Sequence, residues 1–273
     1  MIRQPAVAGT FYPKEPDALR RQVEDLAAGA APPPAGAGGA AVAILVPHAG
    51  YVYSGRIAAV TYRAVSLPRS VVVLCPNHTG RGAPIAMLDE GGWQTPLGDA
   101  PIDGGLARAV LALCRGAQVD AEAHRREHAI EVQVPFLQVL APDSTLVPIC
   151  VGTLDLPRLL DLGRALAEAI GAAGGESLIV ISSDLSHYIP AARAERQDRK
   201  AIDRVLAVDP EGLHRVVLEE EISMCGVAPA VAGLEAARRL GAGAGRLIAY
   251  GHSGEINGDT RSVVGYAGIV LPR

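Results

Sequence analysis

Residues 41–50 read AVAILVPHAG: six apolar positions without alternation, a proline, and then His48. An unbroken apolar run too short for an interior helix reads as a strand covered on both faces, the kind found in parallel sheets flanked by helices. The unit recurs along the chain. SVVVLC (70–75) leads into Pro76-Asn77-His78, SLIVIS (177–182) into Ser183-Asp184-Leu185-Ser186-His187, and RLIAY (246–250) into Gly251-His252, while TLVPICV (145–151) is a further run. Helical patterns lie between them. Leu156, Leu159, Leu160, Leu166, Ala167 and Ile170 trace one helix face, and further helices are expected over 55–66, 103–114, 128–140, 191–207 and 227–240. Pro16 suits a first helical position, and Leu19, Val23 and Leu26 continue a stripe that ends near Gly29. Strands alternating with helices predict an α/β fold whose central sheet is largely parallel or mixed. The Pro/Gly/Ala-rich stretch near 30–40 reads as a flexible connector. Only about 30 residues precede it, too few for a separate core, so residues 1–273 are expected to form a single domain.

Composition narrows the function. With 25 Lys+Arg against 29 Asp+Glu the net charge is -4, which leaves no overall field for a polyanion, and nucleic-acid binding is not expected. Hydrophobic residues at 49% and charged residues at 20% match ordinary folded proteins. Cys75, Cys114, Cys150 and Cys225 form no C-x-x-C pair, so neither a zinc ribbon nor a disulfide framework is indicated and a reducing compartment fits. The opening MIRQPAVAGTFYPKEP lacks the apolar core of a signal peptide, and the uncharged stretch from Leu26 to Pro47 is broken by Pro32, Pro33 and Pro34. A cytoplasmic protein without membrane association is the expectation.

The chemistry gathers where the apolar runs end. Carboxyl ends of parallel strands line the crevice in which α/β folds hold ligands, so His48, His78, His187 and His252 are expected to converge there, joined by His128 at the head of a helical stretch. A single histidine is more often a surface or hydrogen-bonded core residue; the shared position carries the signal. Two neutral imidazoles and an anionic group facing open positions are what an oxygen-activating Fe(II) site requires. His48 and His78 are the natural pair. The third ligand is either the carboxylate of Asp184 or the thiolate of Cys225, which stands just before an expected helix start but has an equally ordinary reading as a small buried hydrophobe. His187 suits a general base, and Asp184 alternatively a group that orients a ring nitrogen. Tyr51, Tyr53, Trp93 and Tyr188 are candidates for pocket walls, with core or rim packing their commoner fate.

Two rivals fit less well. His124-Arg125-Arg126-Glu127-His128 matches the inverted zinc-protease pattern H-x-x-E-H, but two arginines inside it oppose a dication. Serines crowd the loop around Asp184 and His187, yet neither a G-x-S-x-G elbow nor a phosphate-binding G-x-x-x-x-G-K-[ST] loop occurs.

The segments PAVAGTFYP, VPHAGYVYSG, LCPNHTG, WQTPLG, EHAIEVQVPF, SSDLSHY, MCG and GDTRSVVGYAGIV together resemble the Memo-like family, called AmmeMemoRadiSam system protein B in bacteria and archaea, over nearly the whole chain. That family is similar in fold to class III extradiol ring-cleaving dioxygenases, whose non-haem iron is held by two histidines and a carboxylate. The resemblance implies His48, His78 and Cys225 as metal ligands, His187 as the acid-base histidine, His128 as a second active-site histidine, and Asp184 and Glu131 as supporting residues. A sulfur in place of the carboxylate softens the site, so Fe(II) is expected first, with Cu(I) or zinc as further candidates. The activity so implied is that of an oxidoreductase of unknown substrate or, alternatively, of a non-enzymatic module holding a metal or a peptide in the same crevice. A small-molecule or peptide ligand is implied there, together with pathway company from a radical-SAM protein and an AMMECR-type protein.

Overall fold

In the computed structural model, which describes residues 1–29 and 40–273, every one of the five apolar runs is a strand. In chain order the strands are β1 (Ile2–Arg3), β2 (Ala41–Val46), β3 (Ser70–Pro76), β4 (Ile85–Met87), β5 (Gly92–Thr95), β6 (Gly98–Pro101), β7 (Gln118–Val119), β8 (Thr145–Val151), β9 (Ser177–Ser182), β10 (His187–Ile189), β11 (Arg246–His252) and β12 (Val263–Pro272). The helices are α1 (Pro16–Ala28), α2 (Tyr51–Arg63), α3 (Gly104–Leu113), α4 (Val134–Leu140), α5 (Leu156–Ala172), α6 (Ala191–Leu206), α7 (Pro210–Glu219), α8 (Val227–Arg239) and the short α9 (Gly254–Asn257). Apart from Ala40, the connector expected near 30–40 lies outside the described residues.

The main sheet runs β10-β12-β2-β9-β3-β8-β4-β7, with β11 also on β12. Its centre, β2-β9-β3-β8, is parallel throughout, while β12 and β4 flank it antiparallel, so the sheet is mixed. Successive residues of a strand point to opposite faces, which is why runs without alternation were needed. Leu45, Val72, Leu74, Ile179 and Ile181 pack on one face with α3, α5, α7 and α8; Ile44, Val46, Val71, Val73 and Val180 pack on the other with α1, α2 and α4. A separate small sheet, β1-β5-β6, holds the chain start.

Caps explain several helix starts. Asp103, Asp155 and Asp209 each accept a backbone N–H from the first turn of α3, α5 and α7. The helix expected over 128–140 is shorter than the pattern suggested: a 3₁₀ turn covers Glu131–Gln133 and α4 starts at Val134. Pro135 has no N–H for the carbonyl of residue 131, so an α-helix cannot run unbroken through this stretch. His128 therefore stands in the irregular segment ahead of the 3₁₀ turn, free to face the strand ends. Among the described residues no helix is long and apolar enough to cross a membrane.

Candidate metal centre

Strand β9 lies between β2 and β3, so the loops leaving these three strands meet on one edge of the sheet. His48 follows β2, His78 follows β3 and Asp184 follows β9. The rings of His48 and His78 are 5.2 Å apart between centroids, and His128 stands 5.5 Å from the first and 4.8 Å from the second. One nitrogen from each lies within 4.8 Å of the others, so the three imidazoles can hold a metal ion. Cys225 enters from the loop before α8, its Sγ 3.2 Å from His48 Nε2. Gly226 permits this approach: a Cβ there would stand 2.3 Å from Ser183 Cβ, and its N–H donates to Ser183 Oγ at 3.1 Å.

The surrounding hydrogen bonds select the tautomers. Ser182 Oγ donates its one proton to the carbonyl of Ala129 at 2.7 Å and accepts from Gln133 Nε2 at 2.9 Å. Its remaining acceptor site faces His48 Nδ1 at 2.9 Å, so that nitrogen carries the hydrogen and Nε2 keeps its lone pair. His78 is held likewise by Glu127, whose Oε1 lies 2.9 Å from Nδ1 while Oε2 accepts the His78 backbone N–H at 2.7 Å. A carboxylate or hydroxyl on the far nitrogen of each ring is the usual support of a metal-binding histidine.

Burial and charge set the protonation states. Burial, reinforced by the neighbouring charge of His78, depresses His48 to about 3, and burial with the charge of His48 depresses His128 to about 4. Both rings are neutral near pH 7, the form in which an imidazole has a lone pair to offer a metal. Burial pulls His78 down, but the hydrogen bond and charge of Glu127 outweigh it and the net shift is upward. For Glu127, burial pushes upward and is outweighed by the hydrogen bond and charge of His78, leaving the carboxyl at about 2. Burial and then the Asp184 carboxylate hold the Cys225 thiol well above its ordinary value.

A profile of the Memo-like protein family matches residues 3–270. The chain belongs to the Memo-like family. MEMO1 family proteins of Aquifex aeolicus (42% identical, 99% of each chain covered), Methanothermobacter thermautotrophicus (40%, covering 98% of this chain and 99% of the relative) and Methanopyrus kandleri (39%, 100% of each) are similar over full length. An uncharacterized protein of Escherichia coli K12, solved by crystallography, is similar in fold, with a TM-score of 0.57 at 15% identity over 82% of this chain and 98% of that one.

In this Memo-like protein the other singled-out residues divide. Asp184 is buried, and its Oδ1 accepts the backbone N–H of His48 at 2.7 Å, so it clamps the turn that carries that imidazole. His187 opens β10 with Nδ1 at 2.7 Å from the carbonyl of Leu185 and 2.9 Å from that of Ser223; two acceptors there leave Nε2 as the free lone pair. Glu131 is not at the centre. Fully buried, it binds the Arg3 guanidinium, the N–H groups of Ala6 (2.8 Å) and Val7 (2.9 Å) and the Tyr12 hydroxyl (2.5 Å), pinning the N-terminal segment. Nor does His252 join the grouped imidazoles; it ends β11 opposite Gly265 of β12, beyond the last residue of β12 that pairs with β2. The H-x-x-E-H pair separates, because His124 is buried edge-on against Trp93 at 5.5 Å while His128 faces the cluster. Tyr51 and Trp93 are core residues, and Tyr53 and Tyr188 are exposed.

Three supporting residues escaped the sequence reading: Glu127, Ser182 and Gln133. Each had a faint signal. Glu127 directly precedes His128, Gln133 lies in the same motif, and Ser182 is the last residue of an apolar run.

Proposed function

We propose that this Memo-like protein is a metal-dependent oxidoreductase in which His48, His78 and Cys225 ligate a soft-tolerant, redox-active ion, Fe(II) first and Cu(I) second. The observation that carries the reading is the pair of imidazoles with Nδ1 already engaged, together with a thiol 3.2 Å from the free Nε2 of His48. Two nitrogens and one sulfur suit iron and copper, and hard oxygen-seeking cations poorly. When bound, such an ion supplies one-electron chemistry toward dioxygen or an organic ligand. Around it, Asp184 holds the His48 backbone, Glu127 fixes the His78 ring, and His187 offers Nε2 to take a proton from a small-molecule or peptide hydroxyl brought to the crevice. His128, neutral through burial, receives a hydrogen bond from the same ligand.

One observation favours a second reading. His128 stands in the same nitrogen group as His48 and His78, and with the thiol it makes four donors, the number of a closed tetrahedral site that holds Zn²⁺ or Cu(I) without turnover. Anaerobic titration separates the two. On the oxidoreductase reading the parent binds one Fe(II) per chain, His48→Ala, His78→Ala and Cys225→Ser lose it, and His128→Ala and His187→Ala keep it, the last without O2 uptake. Retention of stoichiometric affinity by all three ligand variants refutes the assignment. Loss of metal in His128→Ala as well selects the closed site.

A further inference from the structure

Of the three clustered imidazoles, His128 is the one whose ring takes no hydrogen bond among the described residues. Ser182 fixes His48 and Glu127 fixes His78. Glu127 Oε1 also stands 3.5 Å from His128 Nδ1, but that oxygen already accepts from His78 Nδ1 and from the Ala129 N–H, each at 2.9 Å. What holds His128 is contact with other rings. It is stacked on His78 with the planes 21° apart, and it stands edge-on to His48 at 88°. The half-buried ring of Phe11 meets it at 61°, with centroids 4.8 Å apart.

Stacking decides which rings share an ion. An ion held by an imidazole lies in the plane of that ring, along its lone pair. The planes of His48 and His78 cross at 80°, so their lone pairs can converge. Stacked planes run side by side, and an ion in the plane of His78 lies off the lone pair of His128. In this pose His128 stands beside the centre. A turn of its side chain would bring it in, because one nitrogen from each of the three rings already lies within 4.8 Å of the others.

Phe11 is placed to prevent that turn. Its N–H donates to the carbonyl of Val7 at 2.9 Å, and its carbonyl accepts at 2.8 Å from Tyr51, the first residue of α2 and three residues past His48. On either side of it, Glu131 holds the N–H groups of Ala6 and Val7 and the hydroxyl of Tyr12. Glu131 itself opens the 3₁₀ turn three residues past His128. The segment that carries Phe11 is thus fastened both to the loop of His48 and to the stretch of His128, and its ring has no atom to offer an ion.

We infer that Phe11 is a positioning residue of the metal centre: its ring wedges the His128 imidazole against His78, which keeps that donor out of the coordination sphere and leaves a position open for an exogenous ligand. The inference rests on the oxidoreductase reading above, in which three protein donors hold the ion, and adds what keeps the fourth away. An edge-on contact between rings shifts an equilibrium by about tenfold. Without it His128 is released to complete a four-donor set, the closed arrangement that suits zinc.

The test uses full-length protein loaded anaerobically with Co(II), whose visible bands report the donors around it, and azide as the exogenous ligand. Azide should shift the bands of the parent and leave those of Phe11→Ala unchanged, while Phe11→Ala binds Zn²⁺ about tenfold more tightly than the parent in a chelator competition. Phe11→Leu, which refills the space, should match the parent, and the double variant Phe11→Ala/His128→Ala should respond to azide again. Equal azide shifts in parent and Phe11→Ala overturn the inference. So does a double variant that ignores azide, since another group would then fill the position, and so does a Phe11→Ala protein that takes up no Co(II), which would make Phe11 a support of the fold. Azide-insensitive bands in the parent overturn the open-site reading and this inference with it; a parent that takes up no Co(II) overturns the metal assignment itself.

Discussion

Replacing Glu127 by Gln tests whether the supporting hydrogen bonds set the donor nitrogen of His78. The carboxylate accepts three N–H groups: the His78 backbone at 2.7 Å, His78 Nδ1 at 2.9 Å and the Ala129 backbone at 2.9 Å. An amide keeps one oxygen and gains an NH₂, so in either orientation at least one donor faces another donor. If the NH₂ faces His78, the ring answers by moving its proton to Nε2, the nitrogen the metal needs. A buried unsatisfied donor costs about 1–3 kcal/mol, and supporting partners of this kind are worth about 10- to 100-fold in metal affinity. Glu127→Gln should therefore bind Fe(II) 10- to 100-fold more weakly in an anaerobic chelator competition at pH 7, with its circular dichroism unchanged. The variant should also flatten the acid limb of stability. The Glu127 carboxyl lies at about 2 in the fold against an ordinary 4.5. A depressed carboxyl contributes stability that is fully present above the unfolded value and is lost as the pH falls through 4.5 toward 2, an amount on the order of 3 kcal/mol. Affinity within twofold of the parent would refute the claim that Glu127 fixes the His78 tautomer.

Glu131→Ala should behave in the opposite sense. It leaves the Arg3 guanidinium buried without its partner, so urea denaturation should show a loss of about 3–5 kcal/mol, while metal stoichiometry stays at the parental value; loss of metal without loss of stability would return Glu131 to the centre. Because the Cys225 thiol is held well above its ordinary value, binding must displace its proton, and apparent Fe(II) affinity should rise at least about tenfold per pH unit between pH 6 and 8. A flat profile would remove Cys225 from the ligand set. Gly226→Ala places a methyl against Ser183 and should cost about 1–3 kcal/mol in a thermal melt while weakening metal binding; a stable variant with parental affinity would show that the loop can yield.

The fold was readable because strands buried on both faces announce themselves as unbroken apolar runs. Val72 and Val73 point to opposite layers, and each layer is apolar. What failed to announce itself was local. Strands β4, β7 and β10 are two or three residues long and take their form from their neighbours. Pro135 cut the helix expected from 128, a rule visible in the sequence but outweighed there by the apolar pattern. Among the site residues, His48 and His78 were legible from their place after strands, since topology alone carries loops to a common edge. His252 obeyed the same rule and still missed the cluster, because β11 is tied to β12 and overshoots the parallel strands. Glu127 and Glu131 stand one turn apart in one motif, and nothing in their spacing says which would face the imidazoles and which the chain start.

The hydroxyl of Ser182 bears on the timing of ion capture. One oxygen joins the turn before Gln133, the end of β9 and the ring of His48, so, if His48 is a ligand as proposed, the fold prepares its nitrogen before any ion arrives. On the proposed ligand set His48 then has neither to rotate nor to move its ring hydrogen during uptake. The slow events that remain are departure of the sulfur proton and shedding of the ion's own water shell, and loading should be paced by the choice of metal far more than by motion of the polypeptide.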